Sequence, residues 1–255
     1  MKKIAVVTGA SSGIGREFAL QLDKEEGFDE FWLIARRREK LEQLGSLLSH
    51  PARVLPLDLQ RPESFTAFQD ALAAESPDVR ILVNASGFGK FGAYNEISLA
   101  DSLGMIDLNS RAPVALTELS LPYMQSGARI LQICSIAAFQ PLPYLNVYAA
   151  SKVFLLHYSR ALNFELRSRN ITVTAVCPGW TRTPFFDVAT ENGSQTAVTR
   201  YIGMRTAEEI VRKGLRQSRR KRDIAVLGLQ NNLHRLGAKL VPQKVVMAIF
   251  NKIRK

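Results

Sequence analysis

The chain has 255 residues, 46% of them hydrophobic, enough to bury a substantial core, and α/β chains of this size commonly fold as one domain. Its net charge of +11 is unevenly placed: residues 205–255 hold 14 Lys/Arg against 3 acidic residues, whereas residues 1–204 hold 20 against 20. That distribution argues against a basic nucleic-acid groove across the fold, so no nucleic-acid partner is expected, and the lack of an apolar run of about eighteen residues argues against a spanning helix.

Met1-Lys2-Lys3 leads straight into an apolar run with no small-residue cleavage site, so a cytoplasmic location is expected, with the basic tail leaving peripheral membrane contact open. Cys134 and Cys177 each sit inside an apolar run and read as reduced, buried thiols. His50, His157 and His234 lie far apart without ligand spacing, and no metal is expected.

From the N-terminus, short β-rich runs alternate with segments of helical period. Strands are expected at residues 4–8, 31–35, 54–57, 81–84, 130–134, 172–177 and 224–227, with helices between them, among them 16–22, 148–169 and 207–218. Continuous apolar strands of this kind predict a parallel sheet covered on both faces, an α/β doubly wound fold. Residues 1–228 are expected to form the catalytic domain, including a substrate loop at about 184–204 that lacks clear periodicity, and residues 229–255 a basic amphipathic tail.

The first strand runs into Thr8-Gly9-Ala10-Ser11-Ser12-Gly13-Ile14-Gly15 and then a helix. Strand, glycine-rich turn and helix start are what a dinucleotide pyrophosphate needs: close backbone approach and free N–H groups at a helix N-terminus. At the end of the second strand an acidic residue would hold a ribose 2′-hydroxyl, but Ala35-Arg36-Arg37-Arg38 stands there instead. Guanidinium groups suit a 2′-phosphate, so NADP(H) is the expected cofactor, with Arg36 favoured for the contact and Arg38 read as a solvated helix start.

Tyr148 and Lys152 lie four apart on one expected helix and so share a face. A phenol is a poor base at neutral pH, and a nearby ammonium together with a cationic nicotinamide would lower its pKa toward the working range. Ser135 ends the preceding strand, where its hydroxyl can reach a substrate oxygen.

These motifs resemble the short-chain dehydrogenase/reductase family, over residues 3 to about 183. Thr8 to Gly15 matches its glycine motif, Asp58 its adenine contact, and Asn84-Ala85-Ser86-Gly87 its Asn-Asn-Ala-Gly strand end. Asn109, Ser135, Tyr148 and Lys152 match the four catalytic positions, and Pro178-Gly179 with Thr183 the segment lining the nicotinamide. The resemblance implies that Tyr148 transfers the hydroxyl proton, Lys152 binds the nicotinamide ribose, Ser135 positions the carbonyl and Asn109 supports a relay water. It implies cofactor contacts from Gly9, Ser11, Ser12, Gly13, Ile14, Gly15, Arg36, Arg37, Asp58, Leu59, Asn84, Ala85, Tyr148, Lys152, Pro178, Gly179, Thr181 and Thr183. Two departures stand out: Ala85-Ser86 replaces the usual Asn-Ala, and Thr181 stands where valine is frequent.

The substrate pocket is expected from Phe88, Phe139, Tyr144, Trp180, Phe185 and Phe186, joined by Phe91, Tyr94, Leu142, Tyr201 and Met204, with about half of these packing as core. An aromatic pocket suits a hydrophobic carbonyl or alcohol, such as an acyl, steroid-like or aromatic compound. The competing reading is a non-catalytic nucleotide-sensing or membrane-docked protein, which would have no use for an intact Tyr148, Lys152, Ser135 and Asn109. The helix at 148–169 is apolar around much of its circumference and, with the resemblance, predicts a homodimer or homotetramer. Pro242 divides the tail into two short helices, for which a lid, a subunit contact and an anionic membrane surface are the competing destinations.

Overall fold

The computed structural model describes residues 1–191, 197–201 and 203–254; residues 192–196 and 202 of the expected substrate loop, and Lys255 of the tail, lie outside the described residues. Strands β1 (Lys3–Thr8), β2 (Glu30–Ile34), β3 (Ala52–Leu55), β4 (Asp78–Asn84), β5 (Arg129–Ile133), β6 (Thr172–Val176) and a short strand from Ile224 to Ala225 form one parallel sheet. The order is β3-β2-β1-β4-β5-β6 with the short strand at the far edge. The first three strands step one way from β1 and the rest step the other way from β4. This reversal opens a crevice at the carboxyl ends of β1 and β4, where doubly wound sheets hold ligands.

Both sheet faces are dry, which is why the strands carry apolar residues at successive positions. One face packs Phe31, Leu33, Ile81 and Val83 against Phe18 and Leu22 of helix α1 (Gly13–Leu22). The other packs Trp32, Leu82 and Ile130 against Phe68 of a helix spanning Glu63–Glu75 and Leu116 of one spanning Ala112–Ser120. Strand bounds shift by one to three residues from expectation because pairing partners decide them. β4 starts at Asp78 since that residue pairs with Lys3, and the edge strand β3 takes its register from Phe31–Ile34.

The long helix expected at 148–169 spans Asn146–Glu165 and tightens into a 3-10 turn, Leu166–Arg169. The helix Ala207–Arg219 begins on a reciprocal cap between Thr206 and Glu209. The tail forms two helices, Leu229–Leu240 and Gln243–Ile253, divided at Pro242. Both free cysteines are buried. The hydrogen bond from Cys134, with burial, holds the Cys177 thiol well above its usual pKa and so unreactive.

Candidate active site

At the cofactor end, β1 stops at Thr8, whose hydroxyl accepts the Ala85 and Ser86 N–H groups at 3.0 Å and so locks the ends of β1 and β4 together. Gly9 (φ +64°) is obligatory, since a side chain there would place Cβ 2.8 Å from the Ala85 carbonyl oxygen; one on Gly15 would overlap the Gly9 carbonyl. Ser12 precedes α1 in extended conformation and its side chain caps no N–H of the helix. The first-turn donors therefore face the crevice without a side-chain cap, a cradle that fits a pyrophosphate.

Arg37 precedes the helix Arg38–Gly45, and its guanidinium donates to Ser11 Oγ at 3.0 Å and Ser12 Oγ at 3.3 Å. Arg36 lines the same end of the crevice. Arg38 turns away to pair with Glu42 at 3.7 Å, as a solvated helix start does. Asp58 accepts the Gln60 N–H at 3.2 Å on the facing wall.

At the chemical end, Ser135 caps a 3-10 turn (Ile136–Phe139), accepting the Ala137 N–H at 3.1 Å, and lines the crevice together with Tyr148. The Lys152 ammonium, one turn along from Tyr148, donates to the Ile133 carbonyl at 2.8 Å and sits 5.8 Å from the phenol ring centre. Asn109 lies in a π turn, Asp107–Arg111, a distortion that re-aims helical side chains and recurs at functional sites. Its amide grips Phe88 from both sides: Oδ1 accepts the Phe88 N–H at 3.1 Å, and Nδ2 donates to the Phe88 carbonyl at 2.9 Å and to Ser151 Oγ at 3.1 Å.

Burial dominates the protonation of this group. It pushes the Tyr148 phenol up to about 12, against the lowering from Ser135, and pushes Lys152 down to about 8. The expected lowering of the tyrosine pKa by Lys152 does not set the phenol's protonation; desolvation does. The phenol is held as an acid.

These groups lie along one crevice of about 930 Å³. It is lined by Ser135, Tyr148, Lys152, the cradle from Gly9 to Gly15, Arg36, Arg37, Asp58, Leu59, Ala85, Pro178, Gly179, Thr181 and Thr183. Asn84 and Asn109 lie behind it, Asn84 donating to Thr117 Oγ1 at 3.2 Å beneath the sheet edge. Phe88, Phe91, Leu142, Trp180, Phe185 and Phe186 line the substrate end. The Tyr148 and Phe185 rings are 5.5 Å apart, and Trp180 stands 5.1 Å from Tyr201.

Five expected pocket residues do not line the crevice; two of them are Tyr201, which packs on Trp180 and Phe186, and Met204. Phe139 turns into the core around Leu155, Leu156 and Val226, because the 3-10 turn after Ser135 rotates it off the crevice. Tyr144, at φ +66°, lies beneath the Arg254 guanidinium at 3.8 Å and walls nothing directly. Tyr94 is 86% exposed. Conversely, sequence reasoning missed Lys90, Gln140, His234 and Arg254, all of which line the crevice. Lys90 is buried and reaches Glu191 at 3.2 Å; a lysine inside Gly87-Phe88-Gly89-Lys90-Phe91-Gly92 was the available signal. Arg254 had no local signal, since its place depends on how the tail packs.

The short chain dehydrogenase family model matches residues 3–193. Sulfoacetaldehyde reductase 2 of Chromohalobacter salexigens is 34% identical over 206 residues, covering 77% of this chain and 79% of that protein. Mouse (Mus musculus) 17-beta-hydroxysteroid dehydrogenase type 3 is 29% identical over 227 residues, covering 85% and 69%. Among solved structures, a short-chain dehydrogenase from Sphingobium yanoikuyae in complex with NADPH superposes with a TM-score of 0.78 at 25% identity, covering 97% of this chain and 96% of that one. The glycine cradle, the Ser135–Tyr148–Lys152 group and these likenesses agree, and the chain belongs to the short-chain dehydrogenase/reductase family of oxidoreductases.

Proposed function

We propose that the protein is an NADP(H)-dependent carbonyl reductase acting on a hydrophobic small molecule. The observation that carries this reading is the gathering of Ser135, Tyr148 and Lys152 in one aromatic-walled crevice whose other end is bordered by Arg36 and Arg37. The cradle at Gly9 to Gly15 would hold the pyrophosphate, Asp58 and Leu59 the adenine side, the two arginines a 2′-phosphate, and Lys152 the nicotinamide ribose. When bound, the nicotinamide supplies or accepts hydride. Ser135 holds the substrate oxygen and Tyr148 delivers its proton to that oxygen, while the Lys152 ammonium steadies the phenolate left behind. A phenol held protonated by burial is in the form that the reduction consumes.

Phe88, Trp180, Phe185 and Phe186 make the far wall apolar and suit an acyl, steroid-like or aromatic carbonyl. The mouse relative's name, a hydroxysteroid dehydrogenase, supports that class. Residues 1–228 then serve as the catalytic domain and 229–255 as an appended tail at its mouth. Two further readings belong here. Exposed Leu99, Leu103 and Ile106 on the helix Leu99–Ile106, with Phe154 and Phe164 on the helix Asn146–Glu165, suit a homodimer or homotetramer contact. Two buried free thiols suit the reducing cytoplasm.

The test is turnover on a panel of steroid, acyl and aromatic ketones with NADPH, comparing the native chain with Tyr148→Phe. Losing the acid should lower turnover by roughly 10² to 10⁴ while cofactor binding survives. Full activity in Tyr148→Phe would overturn the mechanism.

A further inference from the structure

We infer that the two tail helices form a docking face for an anionic membrane surface. On the first, Leu229, Leu233, Leu236 and Leu240 recur at helical spacing and are 55–77% exposed; on the second, Val245 and Ile249 are 47% and 53% exposed. These stripes are not the faces of undocked helices. Asn231 and His234 on the first helix and Phe250 on the second line the crevice. Arg254, only 7% exposed, closes the chain against the substrate end: its guanidinium lies over Tyr144 and donates to the Ala197 carbonyl, while its own carbonyl accepts the Thr199 N–H at 2.8 Å. With one face of each helix thus committed to the fold, the leucine, valine and isoleucine stripes are held outward beside the mouth.

Charge names the occupant. Lys239, Lys244 and Lys252 are exposed on the same two helices, and no acidic residue occurs from Ile224 to the C-terminus. A second copy packed there by two-fold symmetry would set lysine against lysine with no carboxylate on these helices to relieve them. An anionic leaflet accepts the apolar stripes at its acyl boundary and the ammonium groups among its phosphates. At 12 and 11 residues the helices are too short to cross a bilayer, so they lie on it. The arrangement puts the crevice mouth at the surface where a hydrophobic carbonyl compound would be dissolved. That consequence rests on the reductase reading; the docking does not.

The experiment is co-sedimentation of the full chain with vesicles of phosphatidylcholine alone or with about a third phosphatidylglycerol, at about 0.05 M and 0.5 M salt. We expect at least about tenfold stronger partitioning onto the anionic vesicles at low salt, weakened at high salt. Leu233→Gln/Leu240→Gln/Ile249→Gln should lose binding with an unchanged thermal melt, because those side chains are already exposed. Lys239→Gln/Lys244→Gln should lose the preference for anionic lipid. Failure of the full chain to sediment with anionic vesicles at low salt, or equal binding by the triple variant, would overturn the inference. A native mass by light scattering that falls on the triple substitution would also overturn it and assign the face to a second copy. Because sedimentation needs no turnover, an inactive protein that binds, or an active one that does not, separates this inference from the proposed function.

Discussion

Desolvation sets the protonation states on which the chemistry turns. With Lys152 held down to about 8, its ammonium survives below that pH and is lost above it, so reductive kcat/KM should fall as pH rises through about 8; an initial-rate profile from pH 6 to 10 checks this. The same shift bears on stability. Folded Lys152 releases its proton near 8, but the unfolded side chain keeps it to about 10.5, so the unfolded state binds more protons between these values and stability rises with pH across that window. Denaturant melts of Lys152→Met should lack that rise. Cofactor choice is also decided at single residues. Arg36→Ala and Arg37→Ala should each weaken NADPH binding about tenfold, or about 1.4 kcal/mol, and leave NADH binding unchanged. Equal dissociation constants for the two cofactors in the native chain would defeat the NADP(H) reading.

At the scale of elements, the loops after β1 and β4 matter more than the helices. Gly89 passes so close to the reacting groups that an added Cβ would stand 2.9 Å from Tyr148 Cδ2 and from Phe185 Cζ. Gly89→Ala should therefore displace the phenol and lower kcat by roughly tenfold to a hundredfold, with the NADPH dissociation constant unchanged. A melt alongside the kinetics separates this from unfolding. The strand–turn–helix of the cradle was legible because its glycines, its strand and its helix start are contiguous. The π turn carrying Asn109 was not, because an i→i+5 hydrogen bond leaves no sequence pattern distinct from the helix around it.

At the scale of the whole molecule, the exposed residues Leu103 and Phe154 (52% and 50%) belong to helices that pack on one another, leaving an apolar flank remote in sequence from the tail stripes. Light scattering should report a dimer or tetramer, and Leu103→Glu/Phe154→Glu should reduce the mass toward one chain. A native protein already monomeric at micromolar concentration would refute this.

The chemistry and the order of the elements could be read from the sequence by itself: a parallel sheet from continuous apolar strands, a phosphate cradle from Gly9 to Gly15, and a phenol and an ammonium four residues apart on one helix. Each of these is a local pattern, complete within a few residues. Only the tertiary structure decided what those patterns pack against. It turned Phe139 into the core and Tyr94 into solvent, buried Lys90 beside Glu191, and brought Arg254 across more than a hundred residues to lie on Tyr144. An apolar or basic side chain states that it seeks a dry surface or a counter-charge, and the partner it finds is set by the packing of distant helices and strands.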